Sequence, residues 1–450
     1  MSAPASPPLG TPGLGYAYRF AFFNALSFQI VLGSPMVLYA RDLGASATVL
    51  GIISGMMPLL VIFQIPAAKH IARTGYKRFV FAGWGTRVVI IFLIALVPLT
   101  GRFLTPASRI ALLLFLLFGF NLSRGISSAA WLPWITALVP AQARGKYLAG
   151  DSGCMNGGSC LTLLLAALVL WRLPTPWYFS AIFVFSALMG AASLSFLKRI
   201  PDAQNPRRDD ANPHPVPWRE IAAYPPFRKL LRLNVGWSVA YGGLTTFTVA
   251  YLRVAAGMSE GRILVVTALS YLGGLGGLML FGTRLDRHGS KPVLVMALLG
   301  WLGVLVGWLL VAGRVVPPGM ALVVFLELCM GLGYAVFTMA NTRLAMVTSP
   351  VMGRDHFFAL FSVVGSLTLG LAPVFWGLLI DAIGTHAAVW LGFDWNHFSV
   401  FFLLVTLTLA VTAALCTYLE EPRAANVEDL LRDLLAQTPW RSWLRFWPRG

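Results

Sequence analysis

Seven charged side chains fall inside long apolar runs, and they are where this sequence could do chemistry: Arg19, Arg87, Arg124, Asp151, Glu327, Arg343 and Asp381. A charge carried to the middle of a bilayer costs about 2.5–3.5 kcal/mol on insertion scales, so such residues face an interior, a cavity or one another. Arg19, Asp151, Arg343 and Asp381 stand near enough to the ends of their runs to reach the interface. Arg124 lies deeper, in Asn121-Leu122-Ser123-Arg124-Gly125-Ile126-Ser127-Ser128. The small residues there let helices approach while the guanidinium turns inward. It reads as a substrate or coupling residue, or as half of a structural ion pair with Asp151 as its candidate partner. Glu327 is the one carboxylate well inside the runs of the second half. A carboxyl group in a low-dielectric site takes up a proton more readily than in water. Glu327 is therefore the candidate for proton coupling, with a locked structural hydrogen bond as the other reading.

Covalent chemistry finds no comparable support. All six histidines (His70, His214, His288, His356, His386 and His397) fall in loops or at the ends of apolar runs. The four cysteines, Cys154, Cys160, Cys329 and Cys416, lie within apolar segments without CxxC or metal-ligand spacing, and read as reduced packing residues. No phosphate-binding G-x-x-x-x-G-K-[ST] loop and no H-E-x-x-H occurs. The reading is a non-enzyme with no cofactor and no metal.

The elements that must position these residues follow from composition. Of 450 residues, 57% are hydrophobic and 11% charged, and the mean hydropathy is +0.74. Soluble domains are about 25% charged, so a soluble enzyme, a disordered chain and a disulfide scaffold are all excluded. The apolar residues gather into segments of about 20, the length a helix needs to cross a hydrocarbon core. Twelve such spans are predicted, six within residues 18–197 and six within 230–419. A flexible tail (1–17) precedes them, and an amphipathic tail (420–450) follows. The connection 198–229, rich in Pro, Arg and Asp, cannot bury enough apolar surface to fold alone and reads as a linker.

A net charge of +17 does not make this a nucleic-acid binder, because the basic residues sit in short loops rather than on one face. Of 34 Lys and Arg, only Arg41, Arg102, Arg109, Arg172, Arg253, Arg262 and Arg314 fall in loops on the side opposite the termini. The positive-inside rule then places both termini in the cytoplasm of a cell (inner) membrane. In the last segment, Val427, Leu430, Leu431 and Leu434 share a helical face, and Trp440, Trp443 and Trp447 alternate with Arg441, Arg445 and Arg449. That helix suits either the membrane surface or the protein's own inner face.

The two halves repeat. Arg73-Thr74-Gly75-Tyr76-Lys77-Arg78 follows the second span, and Gly282-Thr283-Arg284-Leu285-Asp286-Arg287-His288-Gly289-Ser290-Lys291 follows the eighth, with Gly75 and Gly289 214 positions apart. Pro140 to Tyr147 after the fourth span and Pro350 to Phe357 after the tenth recur at an offset of 210. Duplicated six-helix units of this kind build parallel-repeat transporters. The loop Gly282-x-x-x-Asp286-Arg287-x-Gly289-x-Lys291 resembles that of the major facilitator superfamily. In the first copy Ala68 and Ala72 replace the usual Gly and Asp, while Arg73, Gly75 and Arg78 remain.

The resemblance implies an all-α membrane protein of two pseudo-symmetric six-helix bundles that rock about a central path. It implies that Asp286 accepts hydrogen bonds from the start of the fifth span, near Arg144 and Gly145, and so closes the cytoplasmic side. It also implies that helices one, four, seven and ten line the path, offering Asn24, Gln29, Arg124, Trp131, Trp134, Asn234, Trp237, Tyr241, Asn341 and Arg343. Arg124 looks like a fourth-helix motif of proton-coupled members, with Ser127 and Ser128 where Gln and Gly are usual. Gly153-Cys154-Met155-Asn156-Gly157-Gly158 resembles the antiporter motif of drug exporters, with Cys154 in place of Pro. The expected activity is secondary active transport of a small organic solute by alternating access, coupled to H+, by a monomer in the lipid bilayer. A lipid-moving protein of the same fold and a non-transporting sensor are the alternatives.

Overall fold

A backbone in hydrocarbon must satisfy its own hydrogen bonds, and apolar runs of this length do so as helices. The computed structural model describes residues 11–139, 144–170, 177–203, 223–348, 354–390, 392–421 and 424–436. The first span is Thr11–Leu32 (α1) continued by Ser34–Asp42 (α2), and the second is Ala47–Leu59 (α3) continued through a 3-10 turn into Gln64–Thr74 (α4). Tyr76–Leu96 (α5), Pro106–Leu138 (α6), Arg144–Leu170 (α7) and Trp177–Leu197 (α8) complete the first half. The second half begins with Pro225–Tyr241 (α9) and Leu244–Val254 (α10), which share one span. It continues with Glu260–His288 (α11), Ser290–Ala312 (α12), Met320–Thr348 (α13), Arg354–Ile383 (α14) and His397–Thr417 (α15). Val427–Ala436 (α16) is the tail helix. Eleven of these runs are each long and apolar enough to cross a bilayer. The pair α9 and α10, end to end across Gly242 and Gly243, makes the twelfth.

Two helices begin earlier than hydropathy indicates. α1 starts at Thr11, inside the stretch read as a tail, and α9 starts at Pro225, inside the stretch read as a linker. Each carries proline in its first turn, where a missing N–H costs nothing and the fixed φ suits the helix. The helices thus outrun the apolar segment at that end.

The first and seventh spans break at matching places. α1 gives way to α2 at Gly33, ahead of Pro35, and α9 to α10 at Gly243, 210 positions later. Gly243 has φ +80, which a side chain rarely adopts, and a Cβ there would press on Pro373 and Phe247. The loop glycines Gly75 (φ +80) and Gly289 (φ +89) match as well, each making the tight turn between two helices.

The face where α1 begins and α16 packs is here called the tail face; the opposite one is the far face. Near the far face the halves are closed on each other. α3 and α14 approach so closely that a Cβ on Gly51 would strike the carbonyl of Pro373, one on Gly55 that of Gly370, and one on Gly377 that of Ala47. Small residues are what permit this approach between membrane helices. Asp381, at the end of α14, completes the closure. Its carboxylate accepts from Ala47 N (2.9 Å), Thr48 N (2.8 Å) and Thr48 Oγ1 (2.6 Å) at the start of α3. An anion is favoured there by unpaired N–H groups and the helix dipole. Nearer the middle, the Tyr271 hydroxyl donates to Gln29 Oε1 at 2.9 Å. Gly153 and Gly157 on α7, and Gly276 and Gly282 on α11, have open space where a Cβ would stand.

The closure expected from Asp286 falls on residues outside the described part. These are the Asp286 side chain and residues 140–143; the closure that is described lies at the far face. α16 docks on the second half: Leu430 is buried, Arg284 Nε donates to Asp433 Oδ2 at 3.0 Å, and Ala425 N donates to His288 O at 2.8 Å. The Trp and Arg residues after 436 lie outside the described residues.

Candidate functional site

Two polar centres stand inside the helices, one in each half. In the first, Arg87 on α5 is 5% exposed, with its guanidinium carbon 3.8 Å from the Trp84 ring centre and 5.7 Å from that of Phe120. Its Nε has no hydrogen-bond partner. Trp84 Nε1 donates to Asn24 Oδ1 at 3.2 Å, which fixes the plane on which Arg87 rests. A small cavity, with room for about one water, lies there, lined by Asn24, Ser27, Trp84, Arg87, Phe120 and Ser193. Arg124 on α6 is half-buried within electrostatic reach of Arg87. It makes no ion pair among the described residues. Asp151, its expected partner, instead faces the Tyr147 hydroxyl at 3.4 Å. Trp131, also half-buried, lies 4.9 Å from Phe20 and 6.0 Å from Trp84 between ring centres.

The second centre is built on α9, α11 and α13. Glu327 is 5% exposed, has no basic partner among the described residues, and lies within electrostatic reach of Tyr241 and Tyr271. Above it runs a stack of rings. Phe337 and Trp237 lie 3.7 Å apart at 16°, Trp237 and Tyr241 5.3 Å apart at 7°, and Tyr241 and Tyr334 4.8 Å apart at 19°. Tyr334 is 42% exposed where it stacks on Tyr241. Trp301 meets Trp237 edge-on and leaves its own Nε1 unpartnered.

Several expected site residues have other commitments. Asn234 and Asn341 are buried and bond to each other's amides at 3.2 and 2.8 Å, which clamps α9 to α13. Trp134 is fully buried and donates to Pro201 O at 3.1 Å, so it belongs to packing near the tail face rather than to a path. Arg343 is held by Glu421, whose Oε1 lies 2.9 Å from its Nη1, and by Ser290 Oγ at 3.0 Å. The same carboxylate accepts from Ser290 N and Lys291 N, both at 2.7 Å, and so caps α12. Lys291 Nζ donates to Thr417 O at 2.8 Å. Arg343, Gly289 and Lys291 thus form one knot at the tail face. Of the remaining loop residues, Arg73, Arg78 and Arg287 are exposed there. Nothing in the chain around Glu421 marks it in advance. Arg87 carries the same signal as Arg124, a charge inside a span, and that signal alone does not separate a site residue from a packing one.

A sequence profile described as Major Facilitator Superfamily matches residues 20–313 and 257–450. No curated protein sequence matches significantly. Among solved structures, a D-xylose–proton symporter superposes with TM-score 0.71 at 12% identity, covering 91% of this chain and 97% of its own. The nucleoside transporter NupG superposes with TM-score 0.62 at 14% identity, covering 91% and 98%. A bacterial homolog of the human lysosomal transporter Spinster, in an inward-facing and unoccupied conformation, gives TM-score 0.64 at 13% identity, covering 92% and 97%. At these identities the likeness is one of fold.

Proposed function

Since the chain belongs to the Major Facilitator Superfamily, a transporter family, we propose that it carries a small organic solute across the membrane by proton-coupled alternating access. The observation that carries this reading is the one-sided closure. The halves are locked by glycine packing and Asp381 at the far face, while toward the other face Gly153 and Gly157 on α7 and Gly276 and Gly282 on α11 have open space beside them. A path sealed at one end is what alternating access requires of each resting state. The excess of Lys and Arg at the tail face supports its assignment to the cytoplasm, so this conformation faces inward.

Glu327 is the proton site in this reading. A buried carboxylate with no cationic partner is costly when charged. A group so placed can exchange a proton with the path as water enters and leaves. The xylose carrier with the same fold is a proton symporter, which supports the assignment by analogy of fold alone.

The test is solute flux in proteoliposomes with and without a pH gradient. Glu327→Gln is expected to reduce gradient-driven accumulation about tenfold or more while solute exchange at equal pH persists. Accumulation by the variant equal to that of the parent would overturn Glu327 as the proton site, and absence of flux for every solute would overturn transport itself.

A further inference from the structure

We propose that Tyr271 is a positioning residue, through which the charge on Glu327 sets how firmly the two halves hold each other at mid-depth. The inference rests on Glu327 as the proton site and adds what its proton does to the rest of the chain.

Tyr271 belongs to the second half, but its hydroxyl lies in the first. It donates to Gln29 Oε1 on α1 at 2.9 Å, and the Ser159 hydroxyl on α7 is within hydrogen-bonding reach of the same oxygen. Gln29 and Ser159 are both buried. The break in the first span holds the acceptor in place. The Gln29 amide folds against Gly33, where a Cβ would strike it, so the missing side chain at Gly33 is what makes room for the amide. Behind Tyr271, α11 and α13 are packed backbone to backbone. A Cβ on Gly331 would strike the Ser270 carbonyl, and one on Gly273 that of Leu328. Ser270 precedes Tyr271 and Leu328 follows Glu327. This seam therefore fixes the phenol and the carboxylate with respect to each other.

The titratable groups facing Glu327 among the described residues are Tyr241 on α9 and Tyr271 on α11, with Tyr334 of its own helix beside both phenols. The charged residues of α9, α11 and α12, the helices packed on α13, stand at the ends of those helices. Phenols ordinarily titrate at about 10, so between about pH 5 and pH 9 Glu327 is the member of this group that changes charge. While Glu327 is neutral, the Tyr271 proton lies on Gln29, as it does here. An ionised carboxylate in a low-dielectric interior attracts that proton strongly and competes with Gln29 for it. The bond between the halves then weakens, and with it the far-face-closed conformation that contains the bond. Rising pH loosens this conformation, and protonation restores it.

The test is the distance between spin labels at Phe103→Cys and Val315→Cys, exposed far-face positions in opposite halves. It is measured in the full chain in lipid nanodiscs from about pH 5 to pH 9, with Cys154 and Cys329, the two cysteines that are not buried, replaced by Ser. In the parent, the ratio of closed to open distances is expected to fall about three- to tenfold across that range, the worth of one hydrogen bond. Glu327→Gln, which cannot ionise, should hold the closed distance throughout. Tyr271→Phe should lower the closed fraction at low pH and remove its dependence on pH. Loss of a merely structural bond would lower the closed fraction equally at every pH. Should Tyr271→Phe not fold, Gln29→Leu, which removes the acceptor, carries the same comparison.

A pH response kept in full by Tyr271→Phe or Gln29→Leu, or absent from the parent, would overturn the proposal. If it is lost in Glu327→Gln alone, Glu327 still stands as the proton site and only the role of Tyr271 falls. If Glu327→Gln keeps it, the proton reading falls as well.

Discussion

The two halves carry their charges in opposite ways. In the first, Arg87 and Arg124 lie among helices with no carboxylate partner, and no ion pair occurs among its described residues. In the second, Lys229, Arg253, Arg284, Arg314 and Arg343 each pair with a carboxylate, and only Glu327 is left buried without a cation among the described residues. The repeat that duplicated the helices did not duplicate this arrangement. Paired charges hold a bundle and its loops in one shape. Uncompensated ones raise the energy of the state that holds them.

The comparison breaks most visibly at Glu421. Its side chain is 4% exposed and serves Arg343, Ser290 N and Lys291 N together. Removing one partner of a buried pair strands the other. Glu421→Ala is expected to cost about 3 kcal/mol of stability and to loosen the start of α12, read by denaturant unfolding in detergent. Arg87→Gln is expected to show no such loss. If both variants destabilised alike, the distinction between a paired and an uncompensated buried charge would be lost.

A smaller effect belongs to Asp381, the carboxylate of the second half that reaches into the first. Asp381→Ala removes the acceptor of two backbone amides at the start of α3. The far-face closure should weaken by about 1–2 kcal/mol. Hydrogen exchange at the Ala47 and Thr48 amides would quicken about tenfold, with the Gly51 and Gly55 packing still in place. Unchanged exchange would mean that glycine packing alone holds that end.

The long apolar runs made the spans legible in the sequence, and the paired glycine loops made the repeat legible, because both are local patterns. What escaped was set by partners far along the chain. Asp381 reads as an interfacial charge because the helix it caps lies 333 residues away. Trp134 and Trp131 stand three residues apart on one helix, yet one is fully buried and the other borders the space beside Trp84. An all-apolar helix has no periodicity to show which side faces a cavity. The breaks at Gly33 and Gly243 are hidden for a related reason, since hydropathy averaged over a span does not register one residue's backbone angles.

The smallest effect is expected at Lys229 and Glu420, which pair in the second half but at its surface, with side chains 33% and 69% exposed. The hydrogen bond from Lys229 holds the Glu420 carboxyl below the usual carboxylate range. A depressed folded-state value stabilises the fold above the unfolded one, about 4.3 for Glu, and that contribution disappears as pH falls through the folded value. Exposed pairs are also screened by salt and hold two long side chains at an entropic cost. Glu420→Gln should therefore change the unfolding midpoint only slightly at pH 7 and low salt. The difference from the parent should vanish in acid and again at high salt. A loss as large as that of Glu421→Ala, persisting in salt, would show that position at the surface does not separate the two neighbouring glutamates, and that the second half depends on its ion pairs throughout.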